Sequence, residues 1–245
     1  MSRLSPKVLE VALSPAGATW SADSARGRAD GAPAEAFAAA LAAAPSPHRV
    51  RVTLCGNLVH YLALPWPDAV ADEAEGATLA AHHFRRVFGE AAEGWAIRFD
   101  AEDAGVRLAC AVEKELLEAL QVAARAAGRR LDSVQPFLAA AFNGWRREFG
   151  KTRTLFVTLE PGRWCAAHLG GGDWRELRSG RLEGDEASAL VGLIARETAL
   201  AGDERLPVRV YAPAFPRLSE QIEGLGERVR LLRRPAEPLY ASAAN

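Results

Sequence analysis

The last third of the chain carries the pattern that most restricts its fold. Three short runs are predicted to be strands, the first two largely apolar, and short segments rich in glycine and proline separate them. These strands are predicted at 154–159, 164–169 and 174–179. The later elements are predicted at 186–200 (helix), 207–211 (strand), 219–225 (helical turn) and 227–232 (strand). The resulting order is β-β-β-α-β-α-β, which is typical of a mixed α/β unit that starts with a three-strand meander. Glycines 170–172 are interpreted as a hairpin turn, since no Gly-Lys-Ser/Thr follows them.

The first part of the chain repeats this order, with an interruption. Its predicted elements are a hairpin (8–13 and 18–22), a loop (24–33), a helix (34–44) and a second hairpin (49–55 and 58–64) turned by Gly56-Asn57. The interruption follows, with predicted elements at 69–88 (helix), 94–100 and 105–112 (strand pair) and 113–127 (helix). A strand at 130–135 and a helix that begins at Pro136 then complete the first part.

Composition narrows the classes of partner. Thirty Lys and Arg stand against 31 Asp and Glu, for a net charge of −1, so no basic field would attract nucleic acid. No apolar run is long enough to span a bilayer and the N-terminus lacks a signal-peptide core, so we expect a cytoplasmic chain. The three cysteines lie too far apart for a disulfide framework or a zinc motif, and we expect small buried side chains there.

The central block of the sequence carries a family resemblance. Its segments are Leu-Val-His-Tyr-Leu-Ala-Leu-Pro at 58–65, an acidic helix, Leu-Ala-Cys-Ala-Val-Glu-Lys-Glu-Leu-Leu at 108–117 and Val-Gln-Pro-Phe-Leu-Ala at 134–139. This resembles the type IV pilus PilM proteins, the MshI proteins and the cytoplasmic part of the type II secretion protein GspL. The resemblance implies an α/β, actin-like (ribonuclease-H-like) fold of two subdomains with a small inserted subdomain, as in FtsA.

On this resemblance the chain divides into four parts. The first actin-like subdomain covers 1–57 and 133–150, the inserted subdomain 58–132, the second ribonuclease-H-like subdomain 151–234, and a tail 235–245. The resemblance further implies a cytoplasmic scaffold, peripheral to the inner membrane, that binds a cytoplasmic segment of a bitopic partner, PilN-like or GspM-like. A homodimer stays open, and so does the alternative that the chain is part of a longer GspL-like membrane protein.

The nucleotide loops of an actin-like site are degenerate in this sequence. Each phosphate hairpin of the family carries Asp-x-Gly, where the carboxylate holds the hydrated metal and the glycine lets backbone N–H groups approach phosphate. The first motif falls on Ala12 and Ser14, the second on Thr158 and Glu160, and the Gly-Gly that would pack the adenosine on Ala212-Pro213. A negative Glu160 is expected to repel phosphate. We therefore expect no cofactor, no ATP or Mg²⁺ binding and no catalysis.

The sequence leaves the partner contacts and an alternative function open. Trp66, bracketed by prolines, and the neighbouring Leu64 are candidate partner contacts in the groove beside the inserted subdomain, although a core position for Trp66 is favoured. The alternative function is a diverged actin-like ATPase or sugar-kinase-like enzyme that uses carboxylates elsewhere, such as Glu10 or Asp23. No serine or cysteine nucleophile motif and no metal-ligand spacing supports other chemistry.

Overall fold

The structure is a computed structural model that describes residues 8–45, 48–70, 72–100, 105–221 and 226–233. Its strands are β1 Val8–Ser14, β2 Gly17–Ala22, β3 Ala25–Asp30, β4 Arg49–Leu54, β5 His60–Pro65, β6 Trp95–Phe99, β7 Val106–Glu113, β8 Arg130–Pro136, β9 Arg153–Glu160, β10 Arg163–Gly170, β11 Asp173–Arg181, β12 Val208–Tyr211 and β13 Val229–Leu231. Its helices are α1 Pro33–Ala43, α2 Glu73–Phe88, α3 Lys114–Ala126, α4 Phe137–Trp145, α5 Glu186–Leu200 and α6 Leu218–Gln221. The predicted tail at 235–245 lies outside the described residues.

Two of the sheets have the same topology. The first has the strand order β3-β2-β1-β4-β8 and the second the order β11-β10-β9-β12-β13. In each, an antiparallel meander comes first in the chain, and two parallel strands then extend it on the side of its first strand. The predicted order β-β-β-α-β-α-β is confirmed for the second sheet. It also describes the first sheet once the interruption is removed.

A tryptophan faces a glycine across the meander of each sheet. Trp20 lies opposite Gly27, and a Cβ atom on that glycine would lie 2.5 Å from the indole ring. In the second sheet Trp164 lies opposite Gly180 with the same 2.5 Å approach. The ring occupies the space that a side chain would take and covers the exposed glycine backbone, which offsets the weakness of glycine in a strand. The two halves therefore use the same packing device, a tryptophan on the second strand of the meander that covers a glycine of the third.

The prediction of a loop at 24–33 is wrong, because Ala25–Asp30 forms the edge strand β3. Its sequence, Ala-Arg-Gly-Arg-Ala-Asp, contains no β-branched or aromatic residue, so propensity argues against a strand. Tertiary pairing decides instead, since all six residues pair with β2. The turn predicted at glycines 170–172 is confirmed between β10 and β11.

The second predicted hairpin, between β4 and β5, is also wrong. Both edges of β4 are occupied by parallel neighbours, β1 and β8, so β5 has no edge to pair with. A 3-10 turn at Gly56–Leu58 instead leads the chain into the third sheet, of order β5-β7-β6. The antiparallel pair predicted at 94–100 and 105–112 is confirmed there as β6 and β7.

The third sheet and α2 form the inserted unit. The Asp72 carboxylate caps α2 by accepting a hydrogen bond from the Glu75 N–H at 2.9 Å. The core of this unit consists of Leu64, Ala80, Phe84, Ala92, Ala109 and Ala111. The helix α3, which the predicted boundary at 132 assigns to the insert, packs against α1 of the first sheet.

One hydrophobic core runs through both halves. It contains residues of the first sheet and α1 together with Phe156 and Trp174 of the second sheet. At the junction the Phe137 ring stacks on Tyr211 with ring centroids 5.4 Å apart. A separate core between the second sheet and α5 includes Leu190, Ile194 and Val208. Because the halves share buried aromatic residues, they form one packed molecule.

Candidate functional site

The first hairpin, β1 and β2, lines one side of a cavity of about 320 Å³. We call it the hairpin cavity. Its lining residues are Ala12, Leu13, Ser14, Pro15, Ala16, Gly17, Ala18, Thr19, Arg28, Cys55, Asn57, Glu160 and Pro161. Most of them are apolar. The cavity therefore lies where the end of β9, in the second sheet, approaches the hairpin of the first sheet.

The geometry of the hairpin leaves little room for a phosphate cradle. Ser14 and Gly17 form the closing pair of a two-residue turn, and the Ser14 hydroxyl donates to the Gly17 carbonyl at 3.1 Å. Pro15, in the turn, has no N–H to offer. Gly17 adopts a φ of 154°, and a Cβ atom there would lie 2.4 Å from the Ala29 carbonyl oxygen, so close packing against β3 demands glycine.

Glu160 enters the same cavity from the end of β9. Its side chain is 3% exposed, and its Oε2 accepts a hydrogen bond from the Gly56 N–H at 2.8 Å. A Cβ atom on Gly56 would lie 2.8 Å from that oxygen, so only glycine permits this approach without rearrangement. The Glu160 Oε1 atom is buried and has no hydrogen-bond partner among the described residues. The contact thus connects two segments that lie 104 residues apart in the chain.

The expected negative charge on Glu160 needs correction. Burial raises the pKa of Glu160 to about 8, although the Gly56 hydrogen bond and the Arg163 guanidinium both act to lower it. At neutral pH the carboxyl group is therefore mostly protonated. Electrostatic repulsion from this side chain does not by itself argue against phosphate at pH 7.

The thiols beside this carboxyl group are also uncharged. Burial, reinforced by the nearby Glu160, raises the pKa of Cys55 to about 12 and that of Cys165 to about 12. Both cysteines are buried and free, as the sequence predicts, while Cys110 is partly buried. The carboxyl group and these thiols therefore bring little charge to the hairpin cavity at neutral pH, and Arg28, one of its lining residues, forms an ion pair with Asp30 at 2.7 Å.

Only some of the residues at the predicted phosphate-loop positions line the same cavity. Ala12, Ser14 and Glu160 share the hairpin cavity. Thr158 is 1% exposed inside β9 and pairs with Tyr211 of β12. Ala212 and Pro213 follow β12, and neither belongs to the lining of the cavity. The third motif thus lies next to Thr158, where β9 and β12 end side by side, but it does not line the hairpin cavity.

Sequence reasoning missed the parts of this cavity that come from outside the motifs. Arg28 lies on the strand taken for a loop, and Cys55 and Asn57 flank the glycine taken for a hairpin turn. The Asn57 side chain donates to the Pro161 carbonyl at 3.2 Å, beside the Gly56–Glu160 contact. A separation of 104 residues leaves no local sequence signal for these contacts.

The predicted partner residue Trp66 is half-buried in a second cavity, which we call the tryptophan cavity. Its volume is about 330 Å³, and its lining residues are Trp66, Val70, Asp72, Glu73, Arg98, Phe99 and Arg107. The Arg107 guanidinium lies 4.1 Å from the indole centroid, and the Phe99 ring centroid lies 4.9 Å from it. Leu64, by contrast, is 2% exposed in the core of the inserted unit, so it offers no accessible surface.

A buried ionic cluster on α5 was not foreseen. Glu197 is fully buried, and its carboxylate lies within hydrogen-bonding distance of His168 (3.1 Å), Arg178 (2.8 Å) and Arg196 (3.0 Å). Burial acts to raise the pKa of Glu197, but these hydrogen bonds outweigh it and lower the pKa below its usual value. The cluster lies between α5 and the second sheet and does not line the hairpin cavity.

Two absences among the described residues concern metal binding and membrane insertion. Within the ranges given above, no three His, Cys, Asp or Glu side chains group so that they could hold a metal ion. The helices of that part of the chain are all too short or too polar to span a bilayer.

The fold is shared with solved structures of low sequence identity. A protein from Bacteroides thetaiotaomicron VPI-5482, with an actin-like ATPase fold and unknown function, aligns with a TM-score of 0.61 at 8% identity, over 93% of this chain and 91% of that chain. The cytoplasmic domain of EpsL, an inner membrane component of the type II secretion system of Vibrio cholerae, aligns with a TM-score of 0.55 at 15% identity, over 84% and 82%.

The PilM-PilN type IV pilus biogenesis complex gives a TM-score of 0.62 at 13% identity, over 92% of this chain and 88% of the matched chain. No protein-family model and no curated protein matches the sequence. The predicted fold class is confirmed: the chain has the actin-like ATPase fold, in common with the EpsL cytoplasmic domain and the PilM-PilN complex.

Proposed function

We propose that the protein is a non-catalytic scaffold of a type IV pilus or type II secretion assembly, peripheral to the inner membrane, that binds a cytoplasmic segment of a bitopic partner. The observation that carries this proposal is the hairpin cavity. It lies beside the first phosphate hairpin, but its lining contains no aspartate, and its one carboxyl group is buried and mostly protonated at neutral pH. A triphosphate–magnesium complex needs ionised oxygen ligands at that place.

The backbone of the hairpin supports the same conclusion. Phosphate binding by a hairpin depends on free N–H groups that point toward the ligand. Here Pro15 removes one donor, and the turn is closed by the Ser14 hydroxyl bonded to the Gly17 carbonyl. A loop of this construction supplies fewer donors than a phosphate loop, and we propose that the protein binds neither ATP nor Mg²⁺.

The proposed partner contact is the tryptophan cavity. It combines an aromatic face with two acidic and two basic side chains, Asp72, Glu73, Arg98 and Arg107. The strand β6 supplies Arg98 and Phe99 to this cavity, and no described strand pairs with its outer edge. An extended peptide can add to that edge through main-chain hydrogen bonds and place an apolar side chain against Trp66.

Fold neighbours support this class of function. The aligned structures include a complex named for PilM and PilN and a cytoplasmic domain of an inner membrane secretion component. The alternative, a diverged ATPase or sugar-kinase-like enzyme, is favoured only by the open volume of the hairpin cavity, about 320 Å³.

The first experiment is a calorimetric titration of the protein with ATP and Mg²⁺ near neutral pH, together with a phosphate-release assay. The scaffold proposal expects no saturable heat and no phosphate release. Micromolar affinity with measurable hydrolysis would replace it by the enzyme alternative.

The second experiment tests the partner contact. The protein is used to capture proteins from the native membrane fraction, and the cytoplasmic tail of a recovered bitopic protein is then synthesised and titrated. We expect Trp66→Ala to weaken tail binding at least tenfold, since the aromatic anchor is lost. Val191→Ala, which truncates a 41% exposed side chain on α5, is the matched control and should leave the affinity unchanged. Equal weakening by both variants would contradict the assigned contact.

A further inference from the structure

The strand β6 forms one edge of the third sheet, and the direction of its backbone groups follows from its pairing with β7. Just beyond β6, the Asp100 N–H donates to the Leu108 carbonyl at 2.9 Å. Hydrogen-bonded pairs alternate with non-hydrogen-bonded pairs in an antiparallel ladder, so Arg98, two residues earlier, also directs its N–H and C=O groups toward β7. The intervening residues direct theirs to the outer edge, where no described strand pairs with β6: Trp95, Ile97 and Phe99.

One of these outward carbonyl groups is occupied by a neighbouring side chain. The exposed Arg98 guanidinium donates to the Ile97 carbonyl oxygen at 2.8 Å. The guanidinium therefore lies where the backbone N–H of an added strand would have to donate. A strand that docks at this edge must displace Arg98 and leave its charge without that acceptor. A carboxylate on the docking strand would replace the lost acceptor with a stronger, charge-assisted one.

The two faces of β6 differ in chemical character. Trp95, Ile97 and Phe99 are half-buried on one face, where they pack against the core of the inserted unit. Arg98 lies on the opposite face, because successive strand residues point to opposite sides of a sheet. An added strand follows the same alternation, so its side chains lie beside apolar residues on one face and beside Arg98 on the other.

We propose that the free edge of β6 pairs with an extended segment of the partner in which apolar and acidic residues alternate. Its apolar side chains contact Trp95, Ile97 and Phe99, and a carboxylate binds Arg98. The inference rests on the proposed function, because it specifies the chemistry of the partner segment that reaches the tryptophan cavity, to which β6 supplies Arg98 and Phe99.

Other occupants of this edge fit less well. A basic segment would place like charges side by side at Arg98. The acidic residues of the tryptophan cavity, Asp72 and Glu73, do not offset this, since they lie at the N-terminus of α2, which packs on the apolar face of β6. A second copy of this chain would bring its own β6, whose sequence Trp-Ala-Ile-Arg-Phe contains no carboxylate.

The direct test is a calorimetric titration at pH 7 with three acetylated and amidated heptapeptides. These are Ser-Val-Asp-Val-Asp-Val-Ser and its analogues with asparagine or lysine in place of both aspartates. The acidic peptide is expected to bind saturably, the asparagine peptide about tenfold more weakly, and the lysine peptide more weakly still. Absence of saturable binding by the acidic peptide, or equal binding by the asparagine peptide, would overturn the proposal.

A charge reversal identifies the arginine. Arg98→Glu should reverse the order of the three peptides, so that the lysine peptide binds best. Arg125→Glu makes the same change at an exposed position of α3, outside the inserted unit, and should keep the order of the wild type. If Arg98→Glu still prefers the acidic peptide, the assigned charge contact is wrong.

A proline substitution tests the backbone pairing. Ile97→Pro removes an outward N–H group and leaves the ladder to β7 intact, so it should abolish binding of the acidic peptide. Thermal melts check that this variant folds. In the wild type, the acidic peptide should slow hydrogen exchange at the Ile97 and Phe99 amides, a readout that does not depend on the variant. Unchanged exchange there, or binding by folded Ile97→Pro, would overturn the strand pairing. A wild-type dimer that Ile97→Pro dissociates would assign the edge to a second copy instead.

These outcomes are separable from those of the proposed function. If a native tail binds through Trp66 while none of the heptapeptides binds, this inference fails and the scaffold function stands. If the heptapeptides bind in the expected order and no bitopic protein is recovered, the edge assignment stands and the partner assignment fails.

Discussion

At the scale of single residues, two buried glutamates respond to pH in opposite directions. Glu160 has a raised pKa because burial dominates, whereas Glu197 has a lowered pKa because three cationic or neutral donors surround it. Sequence reasoning assigned a negative charge to the first and no role to the second. Only the neighbours that each side chain acquires on folding decide its charge.

Glu160→Gln should make the protein more stable than the wild type above about pH 4.5, by an amount that grows up to about pH 8. The pKa of Glu160 rises from 4.5 when unfolded to about 8 when folded, so the native state holds a proton that the unfolded state has lost. Between these values, the free energy of unfolding of the wild type should fall by up to about 1.4 kcal/mol per pH unit relative to the variant. Below pH 4.5 the two should differ little, since glutamine retains the acceptor for Gly56.

Urea unfolding of both proteins between pH 4 and 9 provides the measurement. Glu176→Gln, which neutralises an exposed carboxylate beside Arg178, serves as the control and should show no comparable divergence from the wild type between pH 4.5 and 8. Parallel stability curves for the wild type and Glu160→Gln would show that Glu160 is not protonated in the native state.

Glu197→Ala should destabilise the protein by about 2 kcal/mol at pH 7, because it leaves His168 and Arg196 without their carboxylate partner and leaves Arg178 with Glu176 alone. The cost is moderate, since Arg178 and Arg196 are partly exposed and can be solvated again. The lowered pKa means that the contribution of Glu197 is present above its ordinary pKa of 4.5 and is lost as pH falls through the folded value. The difference between wild type and variant, followed by thermal melts, should therefore narrow toward pH 3. A difference that widens in acid would contradict this account.

At the scale of elements, glycine positions show how packing overrides propensity. Gly76 lies within α2, where alanine would ordinarily add about 1 kcal/mol of helix stability. A Cβ atom there would lie 2.7 Å from the Trp66 ring. The helix therefore contains a residue of low helix propensity because any side chain would clash with the tryptophan. In the edge strands β3 and β11, Gly27 and Gly180 likewise leave room for the indole rings of Trp20 and Trp164.

Gly76→Ala should therefore lower the melting temperature, because Trp66 must move away from α2 and from Arg107. Gly192→Ala is the matched control within α5, where a Cβ atom would meet no atom within 4 Å. That change should raise the stability by about 0.5 to 1 kcal/mol. Thermal melts of both variants and of the wild type give the stabilities. Equal gains from both changes would show that the ring does not need the glycine.

At the scale of the whole molecule, the two halves meet at the contact between Gly56 and Glu160. A Cβ atom on Gly56 would lie 2.8 Å from Glu160 Oε2 and 2.9 Å from Arg163 Cδ. Gly56→Ala should therefore break the hydrogen bond and cost about 1 to 3 kcal/mol. It should also speed hydrogen exchange at the Gly56 amide and in the segment that joins β9 to β10. Gly94→Ala, where the added atom meets nothing within 4 Å, should leave both quantities unchanged. Normal protection in Gly56→Ala would show that this contact does not hold the halves together.

The amino-acid sequence by itself determined the order of elements in the second half and the interrupted repeat in the first. Local patterning carries these features, because strand alternation, helical periodicity and turn residues act over a few neighbours. The tertiary structure alone decided that a charged, glycine-containing segment forms β3, that β4 and β5 separate into different sheets, and that Glu160 is neutral at pH 7. Each of these depends on residues distant in the chain that occupy a strand edge or exclude water from a side chain, and no local pattern encodes them.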